Sequence, residues 1–503
     1  MPFDRRALIA NKACTRCSTQ KRRCDRALPD CGLCKRLHQP CKYEMSRVGS
    51  SGPTPSPSPK PTISLRSIPF TLDHLKDAII QELVPITPED ILLSYCQAIE
   101  PWFPVISISR LRSRLPPTWD EAPLDFALLC LCILLITATP PSSPDFEGNA
   151  SEFKSRYLYI KSSLASIEGL GVNSFLVVQS RILVTLFEVG HGFYPAAYIS
   201  IGAIIRAADA LEIRPWVDAS PSASLNEEEK REETTLIWGG ILILDRYIAI
   251  ESGSQPPITS SRSLSIQDFL KPALCPTHDP NQDRTDSICR LSRLIEASSL
   301  LEKIHITLNS SSIEHELNIE ELILTVQTLV VLQGILNQEV GDGTYLYSGG
   351  LNLCNVALLL AFEHGSKIPP LTSGATANCT SIADTSLISI INTVTSVVEL
   401  FMLDMRPINF NLIPPFVAFL VFKAAANVTQ RLLLDNDSGE DLKRLRILRK
   451  FLEAMGRRWL SYGELSKIVP KPVQLAKQIC VERYLKVLNE DTTPRLLKLL
   501  EQG

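Results

Sequence analysis

Six cysteines near the start of the chain, Cys14, Cys17, Cys24, Cys31, Cys34 and Cys41, use one unit twice, C-x2-C-x6-C, with six residues between the copies. A segment of about thirty residues holds too little apolar material to bury a core, so its fold must be organised through these thiols. The C-x2-C spacing suits structural zinc, which takes four tetrahedral ligands. Six thiolates overfill one such site and cannot fill two separate ones, which need eight. Two metals fit if two cysteines each bridge both. The repeat makes that pair equivalent: Cys14 with Cys31, Cys17 with Cys34, or Cys24 with Cys41. Spacing does not choose among them. A disulfide framework would need an oxidising compartment, and residues 1–6 (MPFDRR) lack the apolar core of a secretory signal. A metal-storage cluster would not need the basic residues interleaved with the cysteines.

Charge follows the same division. The 503 residues carry a formal net charge of −3, and the sequence pI is near 6.2, which on average argues against nucleic acid. Residues 1–50, however, hold 12 Lys and Arg against 4 Asp and Glu, and the remainder holds 39 against 50. A basic head on an acidic body suggests a polyanion partner for the head. Hydrophobic residues make up 45%, enough for a large core in the remainder. The longest strictly apolar run, residues 126–136, is short of the ~20 residues of a membrane span, so a soluble, intracellular chain with no membrane partner is expected.

In its cysteine spacing and basic run, the head resembles the binuclear zinc cluster of fungal transcription factors. The resemblance implies two Zn2+, with Cys14 and Cys31 bridging. One ion would be held by Cys14, Cys17, Cys24 and Cys31, the other by Cys14, Cys31, Cys34 and Cys41. Pro29 matches the family's loop proline, Lys21-Arg22-Arg23 its basic run and Asp25 a frequent aspartate. Short helices are expected after Cys17 and after Cys34. A rigid helix bearing Lys21, Arg22 and Arg23 would present cations to the major groove, where guanine offers O6 and N7. The resemblance makes Lys21 the reader of the guanines in a CGG triplet of double-stranded DNA. Arg16, Arg22, Arg23, Lys35 and Arg36 read as phosphate contacts, which position without specifying. The sequence departs from the family at Ser18 and Gln20, where basic residues are common; Gln20 is placed against adenine or a phosphate. Arg22 and Arg23 also fit a nuclear-import run.

Residues 49–62 (GSSGPTPSPSPKPT) form a Pro/Ser-rich spacer of polyproline II character. Thr54, Ser56 and Ser58 precede prolines, as in substrates of proline-directed kinases, although spacer composition alone accounts for them. Beyond it, Leu72, Leu75, Ile79 and Leu83 make an apolar stripe confined by Pro69 and Pro85 to about two heptads. That length is marginal for an isolated coiled coil, so docking on the body competes with a dimer zipper. The organisation expected is a zinc-organised DNA-binding domain over residues 10–45, a linker over 46–64 and a large all-α regulatory domain over 65–503.

The body reads as helical throughout. Thr87-Pro88-Glu89-Asp90 is a helix start, followed by Ile91, Leu92, Tyr95 and Ile99 on one face. Apolar helical stretches follow at 125–137, 154–168, 174–189, 196–211, 230–251, 286–307, 313–338, 350–363, 383–404, 414–434, 439–461 and 472–488. Residues 95–104 (YCQAIEPWFP), 194–211 (YPAAYISIGAIIRAADAL) and 238–257, with Trp238 and Asp245-Arg246, resemble the fungal-specific transcription factor regulatory domain.

No nucleotide, zinc-protease or serine-hydrolase motif is present, and no catalytic residues are assigned. His191 near Glu188 reads as a surface or helix-end histidine, and Asp245-Arg246 as a structural ion pair. Cys130, Cys132 and Cys354 read as small core residues. The acidic-leucine stretch 312–324 reads as an ordinary amphipathic helix. The basic run Lys443, Arg444, Arg446, Arg449, Lys450, Arg457 and Arg458 reads as the solvated side of a helix whose apolar side is Leu442, Leu445, Leu448, Leu452 and Trp459. The function expected is a nuclear transcription factor, RNA polymerase II-directed, working with co-regulators or the transcription machinery. A second copy and a small-molecule effector are further candidate partners. The body's resemblance implies regulation of a secondary-metabolite gene cluster. The competing reading is an enzyme or small-molecule-binding protein with the zinc head as scaffold.

Overall fold

The computed structural model describes residues 10, 12–43, 71–140, 147–213, 225–253, 255–261, 283–310, 315–340, 345–367, 374–403, 409–434 and 439–470. The chain divides into two compact units, Met1–Ile68 and Pro69–Gly503. The Pro/Ser-rich spacer 49–62 and the stretch 472–488 lie outside the described residues.

The first unit contains two five-residue helices, α1 (Thr15–Thr19) and α2 (Gly32–Arg36). Each begins at a cysteine, Cys14 or Cys31, which serves as its N-cap. The expectation of helices after Cys17 and Cys34 is therefore corrected: both residues lie inside the helices. The C-x2-C pair needs one turn of helix to bring its sulfurs to one side, so the turn must include both cysteines.

The second unit is all-helical among the described residues. Its helices are α3 (Leu72–Leu83), α4 (Pro88–Ala98), α5 (Ile108–Ser113), α6 (Leu124–Thr137), α7 (Glu147–Gly169), α8 (Phe175–Gly190), α9 (Tyr194–Ala210) and α10 (Leu225–Ser252). They continue as α11 (Asp283–Asn309), α12 (His315–Glu339), α13 (Gly349–Ser366), α14 (Gly374–Leu403), α15 (Phe416–Leu434), α16 (Gly439–Met455) and α17 (Leu460–Ile468). The cap expected for α4 is present: Thr87 Oγ1 accepts from the Asp90 N–H at 3.2 Å, with Pro88 in the first turn. In α3, Leu75, Ile79 and Leu83 are buried in the body's core beside α6, so this stripe docks and does not form a free zipper seam.

One core joins the early and late helices. Trp102, from the 95–104 segment, packs edge-on against Phe416 and Trp459 at ring separations of 6.2 and 6.4 Å. Tyr95 Oη accepts from the Ile106 N–H at 3.0 Å and so pins the turn after α4. The stretch expected as one helix over 439–461 is two. The chain breaks after Met455, and at Gly456 an added Cβ would lie 3.0 Å from the Gly463 Cα, a close backbone approach that favours glycine.

Three side-chain readings change. Asp245 and Arg246 do not pair with each other: Asp245 accepts from the Thr259 N–H and hydroxyl, each at 2.7 Å, while Arg246 Nε donates to Glu302 at 2.6 Å. Neighbours on a helix point about 100° apart, so they reach different elements. Arg458 leaves the basic run and is fully buried, stacked 3.8 Å from the Trp459 ring. It donates to the Ile136 and Ala138 carbonyls at the C-terminal end of α6, where a cation is favoured. Burial lowers its pKa to about 9. His191 is the C-cap of α8 and is buried, its Nδ1 accepting from the Leu460 N–H at 3.3 Å. It is a helix-end residue, but not a surface one.

The helices carry apolar stretches longer than the strictly apolar run 126–136. By length and composition alone, three described helical segments could cross a membrane: Ile319–Glu339, Cys379–Leu403 and Phe416–Leu433. Uncharged polar residues such as Gln327, Thr328 and Asn392 interrupt the apolar runs without adding charge.

Two outcomes test this packing. At Gly190 an added Cβ would lie 2.3 Å from Trp459 Cε3, so Gly190→Ala should destabilise the body by about 1–3 kcal/mol despite alanine's better helix propensity. Urea unfolding followed by tryptophan fluorescence reads this, since all five tryptophans lie in the body. Burial holds His191 well below its ordinary 6.5. The native imidazole stays neutral where the unfolded one is protonated, so its contribution is complete above pH 6.5 and is lost as pH falls below it. The loss should approach about 1.4 kcal/mol per pH unit, and His191→Gln should remove that component of the slope.

Candidate metal centre and nucleic-acid interface

The core of the first unit is sulfur. Cys14, Cys17, Cys31 and Cys34 are fully buried, with Cys24, Leu33, Cys41 and Tyr43 packed around them. Two sets of four sulfurs converge: Cys14, Cys17, Cys24 and Cys31, and Cys14, Cys31, Cys34 and Cys41, each within 4.8 Å of one another. Cys14 and Cys31 belong to both. The Sγ separations are 3.8 Å for Cys14–Cys31, 3.7 Å for Cys14–Cys34 and 3.8 Å for Cys17–Cys31. A zinc ion with Zn–S bonds of about 2.3 Å has tetrahedral S···S edges of about 3.8 Å. The donor set therefore fits two zinc ions sharing two thiolates, with Cys14 and Cys31 the shared pair.

Bound there, zinc would cross-link the loops and supply the folding energy that a small apolar core cannot. Burial raises the thiols of Cys14, Cys17, Cys34 and Cys41 above their ordinary value. Cys31 is instead lowered to about 6, chiefly because the Cys34 N–H donates to it at 3.4 Å. Crowded sulfurs of this kind resist ionisation unless a cation sits among them.

The rest of the unit braces the sulfurs. Both Asp25 carboxylate oxygens accept from the Gly32 N–H at 2.9 Å, so the aspartate caps the first turn of α2. Tyr43 Oη donates to the Ala27 carbonyl at 2.9 Å. The Thr15 N–H donates to the Lys42 carbonyl at 2.9 Å and brings the end of the unit back to α1. Lys42 and Tyr43 were not singled out from sequence, because a carbonyl contact and a lone tyrosine carry no motif.

The two halves end alike. After α1, the Lys21 N–H donates to the Ser18 carbonyl and the Arg22 N–H to the Cys17 carbonyl, with Lys21 at φ 51°. After α2, the His38 N–H donates to Lys35 and the Gln39 N–H to Cys34, with His38 at φ 49°. Each is a paired C-terminal cap with a left-handed residue. Lys21, Arg22 and Arg23 therefore lie beyond α1 and not on it, correcting the expected basic helix; five residues and a left-handed cap end the helix first. His38 stands where Lys21 stands in the other half, a match visible in the repeat, since each lies four residues after the second cysteine of its unit.

Gln20, Lys21, Arg22, Arg23, Lys35 and Arg36 are exposed, and Arg16 is half-buried. Among the described residues Lys21, Arg22, Arg23 and Lys35 make no ion pair, while Arg36 Nε donates to the Gly32 carbonyl at 3.3 Å. The unit thus presents cations on a backbone whose helices are anchored at both halves by cysteine.

Asp25→Ala should lower zinc affinity about 10–100-fold, because it removes the group that orients the turn carrying Cys31 and Cys34. Competition against a chromophoric chelator measures this. An unchanged affinity would show that the cap does not support the cluster.

Residues 12–48 match the fungal Zn(2)-Cys(6) binuclear cluster domain, and residues 92–336 match the fungal specific transcription factor domain. The second match runs from α4 to α12, while α13 to α17 complete the same core beyond it. Among curated proteins, Transcription factor BOA15 of Botryotinia fuckeliana (strain B05.10) is 29% identical over 136 residues, which is 25% of this chain and 73% of that protein. The family is one of transcription factors and not of enzymes, in keeping with the structural duties of His191, Asp245 and Arg246. The sulfur geometry and the two domain matches together make this chain a fungal binuclear-zinc-cluster transcription factor.

Proposed function

We propose that the chain acts in the nucleus by binding double-stranded DNA at CGG-type triplets, with Lys21 reading the guanines. The observation that carries this is the placement of Lys21. It is exposed, held left-handed by two backbone hydrogen bonds, and attached to a turn fixed by Cys14 and Cys17. A cationic side chain on a fixed backbone is suited to the O6 and N7 acceptors of guanine. Arg16, Arg22, Arg23, Lys35 and Arg36 are the phosphate contacts in this reading, and Gln20 meets adenine or a phosphate. Cys14, Cys17, Cys24, Cys31, Cys34 and Cys41 are the metal ligands in this reading.

The division of labour is a DNA-binding domain at 10–45, a spacer at 46–64 and a regulatory body at 65–503. Six thiolates and two Zn2+ together add −2, so the head keeps a net positive charge while the body is acidic. Specific binding then rests on the head, and the body serves co-regulators or the transcription machinery. A role at genes of a secondary-metabolite cluster rests on the resemblance of the body alone. A homodimer would need a surface other than the docked stripe of α3.

With zinc bound, the full chain should select CGG-containing sites from a random DNA pool and lose that selection on chelation. Lys21→Ala should weaken such binding by about 1–3 kcal/mol and relax discrimination. Arg36→Ala should weaken specific and non-specific binding alike and flatten the salt dependence. Unchanged discrimination in Lys21→Ala, measured by fluorescence anisotropy, would remove Lys21 as the base reader.

A further inference from the structure

A cavity of about 180 Å³ opens among α7, α8 and α9, away from every residue assigned a role above. Leu164, Val184, Ile199 and Ala203 give it an apolar wall. Its polar atoms converge from three helices. Lys161 of α7 donates to Ser200 of α9 at 2.7 Å and pairs with Glu188 at 2.8 Å. Arg181 of α8 pairs through Nη2 with Glu168 at 2.8 Å.

Two of these groups are left incomplete. Thr185 is fully buried in the middle of α8, yet its hydroxyl has no partner. Helical threonines elsewhere in the body, such as Thr234, Thr325 and Thr395, donate to the carbonyl four residues back. Arg181 Nε is likewise buried without a partner. Glu168 occupies only the Nη2 side of that guanidinium and is itself largely exposed, so the edge made by Nε and Nη2 is half used. A carboxylate takes that edge in bidentate fashion, and an unpaired buried hydroxyl is costly until something bonds to it.

We propose that this cavity binds a small monocarboxylic acid. The carboxylate sits on the Nε and Nη2 edge of Arg181 in place of Glu168, with the Thr185 hydroxyl donating to it. The apolar body of the acid lies against Leu164, Val184 and Ile199. An apolar cavity of about 150 Å³ admits benzene, so the space suits an acid with roughly six to eight carbons. Both cations at the site already have carboxylate partners, and Glu168 is the one that solvent can replace. This favours a single negative charge over a phosphate or a dicarboxylate.

The zinc-loaded full chain is titrated with hexanoate and phenylacetate, and in parallel with hexanamide and phenylacetamide, by calorimetry and thermal unfolding. Each acid should bind saturably at one site and raise the melting temperature. The amides should bind about tenfold more weakly or worse, as expected on losing a charge-assisted bond. Glu168→Gln removes the competing carboxylate and should tighten acid binding several-fold, a gain that damage to the fold cannot produce. Ile199→Trp, at the exposed rim, should block binding with the body still folded. The proposal is overturned if neither acid binds, if acids and amides bind equally, or if Glu168→Gln leaves acid binding unchanged or weaker.

Discussion

Two sulfurs shared between two metal positions hold the head together. Cys14 and Cys31 are the N-caps of α1 and α2 and also the members common to both ligand sets. Each therefore ties a helix start to the cluster, and the second cysteine of each C-x2-C pair follows one turn later. The two left-handed caps at Lys21 and His38 are consequences of stopping each helix after that single turn. The pseudo-twofold arrangement of the backbone follows from the repeat, whereas the side chains at its equivalent ends, lysine and histidine, differ. That asymmetry leaves an exposed lysine at the end of one half and an exposed histidine at the end of the other.

The body solves a different problem with different means. Its core is large and apolar, and its buried polar groups act as pins between distant helices. Tyr95 closes the turn after α4, Asp245 fastens the 258–261 turn to α10, and Arg458 caps α6 from the far end of the chain. The packing of Trp102 with Phe416 and Trp459 shows that helices beyond residue 336 belong to the same core as the matched regulatory domain. Around α7 to α9 the pins are incomplete, and that is where the cavity lies.

Much of this was legible from residue patterns because the determinants are local. Helix periodicity, the Thr87-Pro88 cap and the cysteine repeat each act within a few residues. Errors arose where the deciding contact was remote or geometric. Lys21-Arg22-Arg23 look helical by composition, but the cap hydrogen bonds end the helix before them. Arg458 looks like part of a solvated basic run, but the C-terminal carbonyls of α6 take it inside. Asp245 and Arg246 look like a pair because they are adjacent, and adjacency on a helix points them apart.

The sequence by itself determined that the head carries two equivalent metal-binding halves and that the body is helical, since ligand number, spacing and periodicity are properties of the chain. It left three pairs of cysteines equally fit to bridge. Only the tertiary structure decided for Cys14 and Cys31, because bridging requires a sulfur within reach of both ligand sets, and that distance depends on how the two halves fold against each other. The same holds for Thr185 and Arg181: their residue types are ordinary, and only the packing of three helices brings both to the wall of one cavity with a polar atom left unpaired.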